Sequence, residues 1–492
     1  MGKVKNILFI MYDQLRADYL GCAGHPTLKT PHIDAFAKRG VMFDRAYCQA
    51  PVCGPSRVSF YTGRYMSSHG AGYNNVPFSI DQWTLGDYLR TVGMRSVLVG
   101  KTHMVPDRAG MERLRIEGAS DMGVWITQCG FEPFERDDGL HPDQVLDPNL
   151  AYNNYLRAQG YDSDNPWHDF ANSAEGPDGE VLSGWQMQYA RLPARVADEH
   201  SETPYMTTRA MDFMDQAGDQ PWCLHLSLIK PHWPYVVPKP YNDMYGPNQI
   251  LPANMSQAEL DDRHPVVGAF MDHEGSENFR CDEVRQTVIP AYMGLVAQCD
   301  DQFGRLMAYL EEQGRMEDTM IVLTSDHGDY LGDHWLGEKD LFHEPSIRLP
   351  MIIVDPSETA NATRGKVDDR LVEAIDLIPT FIEALGGEIP DHRLEGRSLM
   401  PLVRGETELA WRDYVICESD YSGRLASADM NLDPKDARAF MLRTERWKYV
   451  LHQKFRPQLW DLEADPDEFT DLGDDPAYAS VRAELHEALF TW

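Results

Sequence analysis

Asp13-Gln14, Lys101-Thr102-His103, Lys230-Pro231-His232 and Ser325-Asp326-His327-Gly328-Asp329 each close a short apolar run. A fifth polar stretch opens at Cys53 and ends in Arg57. Asp13, Asp326 and His327 supply two hard carboxylates and an imidazole, a divalent-metal set with a position left for a nucleophile's oxygen. Mixed oxygen and nitrogen ligation suits Mn2+ at least as well as Ca2+, with zinc a further option. Gln14 can add an amide oxygen, orient Asp13 or meet a substrate, whereas Asp329 is expected to cap the segment after it. Cys53 stands where a helix over 56–62 begins, near the positive end of its dipole. Arg57, on the first turn, is placed to neutralise anionic oxygens there. Lys101 and His103, two apart on an extended segment, face one side and can both meet an anion. His232 and Lys339 are candidates to protonate a leaving oxygen, and Asn74 is a candidate hydrogen-bond donor to a substrate. Any one cluster is explained equally well as a solvated loop end. Four of them from separate strands, with Cys53, are not.

The elements that must position these groups read as an α/β protein. Short β-rich runs alternate with helical patterns, as in a mixed, mostly parallel sheet with helices on both faces. Strands are expected at 6–11, 96–99, 222–229, 320–324 and 351–354. Helices are expected at 31–39, 56–62, 85–92, 206–216, 286–313 and 372–385. Ligands of such sheets bind beyond the carboxyl ends of the strands, where the polar clusters fall. Residues 105–204 are rich in Asp, Glu, Gly, Asn and Pro, and no lysine occurs between Lys101 and Lys230. This stretch is expected to be an insertion or lid within a catalytic domain of residues 1–405. Its aromatics, Trp125, Phe131, Phe134, Trp167 and Trp185, suit either a pocket for an aryl group or local core. Residues 406–492 read as a small α+β domain, with short strands at 414–418, 440–443 and 448–451 and a closing helix at 477–490.

Bulk properties narrow the partners. With 78 acidic against 45 basic residues, the formal charge is −33, which argues against nucleic acid and anionic membranes. A site for an anion must then be locally positive. The opening apolar run is too short for a signal sequence or a span. Eight cysteines show no metal-type pairing or disulfide framework. A reduced, cytoplasmic protein is expected, and a homodimer.

Cys53-Gly54-Pro55-Ser56-Arg57 matches the sequence that sulfatases present for oxidation of cysteine to formylglycine. With Thr62-Gly63-Arg64, Gly100-Lys101-Thr102-His103, Pro231-His232-Trp233-Pro234, Ser325–Asp329, Lys339 and Leu459-Trp460-Asp461-Leu462, the chain resembles the formylglycine-dependent sulfatases of the alkaline phosphatase superfamily. That resemblance implies the alkaline-phosphatase-like fold and maturation by a formylglycine-generating enzyme. It also implies formylglycine at Cys53, and a metal held by Asp13, Asp326, His327 and residue 53. Sulfate binding and proton transfer would fall to Arg57, Lys101, His103, His232 and Lys339. Two features depart from many Ca2+-binding members, the pairs Asp13-Gln14 and Asp326-His327. They resemble the cytoplasmic branch of phosphonate monoester hydrolases and choline sulfatases, which often hold Mn2+. The run from Lys230 to Tyr245 also looks like the phosphonate enzymes. Those enzymes, however, carry Tyr and Thr where this chain has Lys101 and His103. The expected substrates are therefore sulfate monoesters, aryl sulfates first, with cross-activity on phosphonate monoesters and phosphodiesters. A phosphonate monoesterase or phosphodiesterase using the same residues is the alternative.

Overall fold

The computed structural model describes residues 4–139 and 150–492. Its centre is an eight-stranded sheet: β1 (Asn6–Asp13), β2 (Val41–Phe43), β3 (Arg95–Gly100), β4 (Glu132–Arg136), β5 (Trp222–Pro231), β6 (Thr319–Ser325), β7 (Met351–Val354) and β8 (Lys366–Asp368). The spatial order is β8-β2-β7-β6-β1-β5-β3-β4. β6, β1, β5, β3 and β4 are mutually parallel, whereas β7 runs antiparallel to both β6 and β2. Because these five consecutive strands point the same way, their carboxyl ends meet at one edge of the sheet, and the polar residues that follow four of them meet there too.

Every residue of β1 is buried, and its side chains alternate between two cores. Ile7, Phe9 and Met11 face Val58, Phe60, Leu377 and Phe381. Leu8, Ile10 and Tyr12 face Met206, Phe213, Tyr292 and Phe303. A strand covered by helices on both sides must be continuously apolar, which is what made it readable. Helix Cys53–Thr62 is itself wholly buried, and Gly63 (φ 67°) ends it with an N–H to Ser59 O. Gly100 ends β3 at φ 108°, where a Cβ would stand 1.9 Å from Ser227 O, so only glycine lets β3 hand Lys101 to the site.

Two expectations need correction. The stretch 105–204 is no simple insertion, since Glu132–Arg136 within it pairs with β3 and forms the sheet's edge. Its aromatics divide: Phe131 and Trp167 are fully buried core, Phe134 packs against that core, and Trp185 crosses Trp233 at 4.5 Å. Trp125 lies under the Arg90 guanidinium at 4.2 Å. Residues 140–149 of this stretch lie outside the described residues. The helix expected at 372–385 begins later, at Leu377–Ala384. Val372–Glu373 instead pairs with Ala46–Tyr47, and Asp376 Oδ2 accepts from Glu373 N at 2.8 Å.

The C-terminal part is a four-stranded antiparallel meander, β9 (Tyr414–Asp420), β10 (Arg438–Thr444), β11 (Trp447–His452) and β12 (Gln458–Asp461), with helix Ala479–Thr491. One face (Ile416, Leu442, Tyr449, Leu459) packs on Leu485 and Leu489 of that helix. The other (Val415, Cys417, Met441, Val450, Trp460) joins the Phe9-side core.

Glu418 sits at this seam. Ser67 N and Oγ donate to its Oε1 at 3.0 and 3.2 Å, while Oε2 is buried without a hydrogen-bond partner among the described residues. Burial pushes its pKa up to about 7, against hydrogen bonds that lower it. In the unfolded chain the group ionises near pH ~4.3. As pH rises, the unfolded state therefore loses this proton first, and stability falls between about pH 4.5 and 7. Urea unfolding at pH 5 and 8 should show Glu418→Gln losing up to about 3 kcal/mol less than wild type over that interval. Equal losses would remove the buried-proton assignment.

Candidate active site

The four strand ends and the start of helix Cys53–Thr62 converge on the Cys53 sulfur, which is 1% exposed. His327 Nε2 lies 3.1 Å from Sγ, Lys339 Nζ 3.3 Å and Asp13 Oδ1 3.6 Å. His103 and His232 stand near enough to this sulfur that His103 favours its thiolate and the sulfur in turn favours a charged His232. In a protein carrying formylglycine, Sγ marks where an oxygen on the same carbon would stand. Burial disfavours a thiolate, yet Lys339, His327 and Lys101 together hold the Cys53 pKa well below its ordinary value.

Asp13, Cys53, Asp326 and His327 each offer one atom, and these atoms all lie within 4.8 Å of one another. The atoms facing inward are the Oδ1 of each aspartate, 3.8 and 3.7 Å from His327 Nε2, and that of Asp326 also accepts from Gln14 N and His327 N at 3.1 and 2.9 Å. The other oxygens are spoken for. Asp13 Oδ2 accepts from Lys101 Nζ at 2.5 Å and Arg57 Nη2 at 3.2 Å, and Asp326 Oδ2 from Arg57 Nε at 2.8 Å. His327 Nδ1 donates to Gly328 O at 2.8 Å. Against burial, Asp326 and Cys53 raise its pKa to about 9, so Nε2 offers its lone pair once a bound cation displaces that proton. A carbonyl behind a ligating imidazole is the usual means of fixing its tautomer and direction. Two carboxylates, an oriented imidazole and residue 53 fit one divalent cation.

Arg57 is fully buried and spends its remaining Nη1 donors on Lys101 O (3.0 Å) and Ser227 Oγ (2.7 Å). It holds the two carboxylates together and does not face outward. Lys101 is likewise buried and pinned to Asp13. These cations, with burial and the Cys53 charge opposing them, keep Asp13 well below the usual carboxylate range. Arg57, Lys101 and Lys339 against two aspartates make the locally positive centre that so acidic a chain needs for an anion.

Gln14 sits at φ 67° and has both ends of its amide taken. Oε1 accepts from Lys339 Nζ at 2.8 Å, and Nε2 donates to Asp329 Oδ2 at 2.5 Å. Its side chain therefore aims Lys339 and does not orient Asp13. Asp329 caps Leu331 N at 3.0 Å, as expected, and also accepts from Tyr235 OH at 2.5 Å. Asn74 lies beside the helix start, where its Oδ1 accepts from Gly54 N at 2.8 Å.

His232 Nδ1 donates to Trp233 O at 2.5 Å, so Nε2 accepts from Lys339 Nζ at 3.1 Å. Burial, then Lys339, lowers its pKa. Burial works against the Lys339 charge, yet Cys53 and Asp13 hold it well above the ordinary lysine value. The mobile proton of this pair thus stands on Lys339.

Ser227, Tyr235 and Asp138 belong to the site without having been singled out. Asp138 Oδ1 accepts from Thr102 N and His103 N at 2.8 and 3.1 Å and folds the Lys101–His103 turn. Ser227 carried a signal, as a lone hydroxyl within the apolar run of β5. Replacing Gln14 by Leu strips one partner each from buried Lys339 and Asp329, which should cost about 2–4 kcal/mol together. Thermal or urea denaturation reads this loss, and an unchanged stability would contradict the network.

This geometry belongs to the alkaline-phosphatase-like sulfatase fold. The phosphonate monoester hydrolase SpPMH from Silicibacter pomeroyi superposes with a TM-score of 0.87 at 29% identity, over 99% of this chain and 94% of that one. The Sulfatase family model matches residues 5–387, and N-sulphoglucosamine sulphohydrolase, C-terminal, matches 332–492; the chain belongs to the sulfatase family. It is 32% identical over 512 residues to the multifunctional alkaline phosphatase superfamily protein PehA of Trinickia caryophylli, covering 99% of this chain and 95% of that protein. It is 28% identical to an arylsulfatase of Clostridium perfringens, over 95% and 90% of the two chains. Among the described residues no helix is long and apolar enough to cross a membrane.

Proposed function

We propose that this chain hydrolyses sulfate monoesters, aryl sulfates among them, through formylglycine made from Cys53 by a formylglycine-generating enzyme. One divalent ion, Mn2+ or Ca2+, would be held by Asp13, Asp326, His327 and residue 53. The observation that carries this reading is the convergence of Lys339, His327 and Asp13 on one buried cysteine sulfur, with His103 and His232 beside it. The mixed oxygen and nitrogen donors favour Mn2+. When bound, the ion supplies charge stabilisation and lowers the pKa of a hydroxyl beside it. Formylglycine, as its hydrate, supplies two hydroxyls on one carbon.

The chain's own residues do the rest. Arg57 holds both aspartates in place. Lys101 keeps two N–H groups beyond the one given to Asp13, and with Lys339 offers them to the anionic oxygens of the ester. Lys339 Nζ carries the proton for the departing oxygen, with His232 Nε2 as its relay; general-acid help of this kind is worth roughly 10²–10⁴-fold. His103, whose Nδ1 is buried without a partner among the described residues, takes a proton from residue 53.

One observation favours the second reading, a phosphonate monoesterase or phosphodiesterase. Lys101 was expected to meet the anion together with His103, but its ammonium stands 2.5 Å from Asp13 Oδ2, which weakens the case for sulfate. The test is kcat/KM for 4-nitrophenyl sulfate beside 4-nitrophenyl phenylphosphonate, with Cys53→Ala as blank. A sulfate preference of at least tenfold supports the first reading, and a phosphonate preference the second. Activity on neither, above the blank, rejects both. Chelation should abolish turnover and Mn2+ restore it; activity that survives exhaustive chelation would remove the metal from the account.

A further inference from the structure

Three residues that the chemistry above leaves unused form a second set of groups beside the site. Asp340 follows Lys339 at φ 90°, and its N–H donates to Pro51 O at 3.0 Å, two residues before Cys53. Its carboxylate accepts from Arg424 Nη2, and Ser419 Oγ donates to its carbonyl at 3.2 Å. Arg424 therefore reaches in from the C-terminal segment to the loop that carries Lys339. Its Cζ lies 5.8 Å from the centroid of the Tyr73 ring. Gly423 comes so near that a Cβ there would stand 3.6 Å from Tyr73 Cδ1. Tyr73 precedes Asn74, the residue that accepts from Gly54 N. One phenol and one guanidinium are thus fixed to the two segments that flank Cys53.

Arg424 has a donor to spare. Its Nε is buried and has no partner among the described residues, although the side chain as a whole is 21% exposed. Nε is too deep for a ligand to reach, but Nη1 also has no partner among the described residues and is not shut off from solvent, so a ligand oxygen can accept from it. Asp340 already cancels the Arg424 charge, and Glu338 adds to the acidic field there. A second carboxylate is therefore disfavoured against an uncharged acceptor. A phenol ring beside a guanidinium suits an aromatic ring.

We propose that Tyr73 and Arg424 form the leaving-group subsite, and that it takes aromatic alcohols bearing an uncharged carbonyl acceptor. This rests on the ester-hydrolase reading, so the experiment measures binding apart from turnover. Calorimetry would compare phenol, 3- and 4-hydroxyacetophenone and 4-hydroxybenzoate on the wild-type protein, Arg424→Leu and Arg424→Lys. The expected result is at least fivefold tighter binding of one hydroxyacetophenone than of phenol, lost in Arg424→Leu. Arg424→Lys retains a cation for Asp340 and should hold the melting temperature while losing the same preference, because it lacks the second amino group, Nη1. KM for the matching aryl esters should follow the same order. Equal binding of phenol and both ketones, a preference for the benzoate, or a preference that survives both substitutions would overturn the subsite. Ketone binding that depends on Arg424 in a protein that hydrolyses none of the esters would leave the subsite standing and reject the hydrolase reading.

Discussion

Cys53→Ser should turn over at most once, with steady-state kcat reduced by about 10³–10⁶-fold, the range seen when a nucleophile is removed from an otherwise intact site. The size of the effect comes from counting hydroxyls. A serine at residue 53 would stand among Lys339, His327 and Asp13 as the cysteine sulfur does. It can attack an ester once, but it has no second hydroxyl on the same carbon from which His103 could draw a proton to expel the bound group. The variant should therefore gain the mass of the transferred group in proportion to the alcohol released. Sustained turnover by Cys53→Ser, within tenfold of wild type, would end the account of two hydroxyls.

Arg57→Met carries the second large effect, and it separates stability from chemistry. Arg57 is fully buried and bonds both Asp13 and Asp326. Removing one partner of a buried charge cluster leaves the other uncompensated, at about 3–5 kcal/mol. Here two carboxylates lose their shared cation at once. A divalent ion between the inward oxygens would restore part of that compensation. The destabilisation should then be largest in chelated protein and smaller by at least about 1 kcal/mol with Mn2+ present, since a ligand binding only the folded state adds stability. Urea unfolding with and without metal reads both quantities. Equal losses in the two conditions would mean that the aspartates do not hold an ion.

What the sequence disclosed follows from burial. β1, β5 and β6 are covered on both faces, so their apolar runs stand out, and Asp13, His232 and Asp326 follow directly at their ends. The convergence of these residues with Cys53, Arg57 and Lys339 could be expected because parallel strands end at one edge. β4 was hidden because Glu132-Pro133-Phe134-Glu135-Arg136 is an edge strand, where charge and proline are tolerated. Val372–Glu373 read as helix because its local spacing agrees with one, while pairing to Ala46–Tyr47 decided otherwise. The partners of the polar groups were beyond reach. Nothing in the spacing says that Lys101 would be taken up by Asp13, or that Gln14 would aim Lys339. Such pairings depend on distances between strands and not along them.

The claim on which the rest depends is that the chemistry belongs to an aldehyde at residue 53. Its most direct test is the mass of the peptide carrying Cys53, taken from preparations matured to different extents and set against the turnover of each. The account predicts that specific activity rises in proportion to the fraction of aldehyde and extrapolates to zero where the thiol is intact. Full turnover by a protein whose Cys53 remains entirely thiol would contradict it.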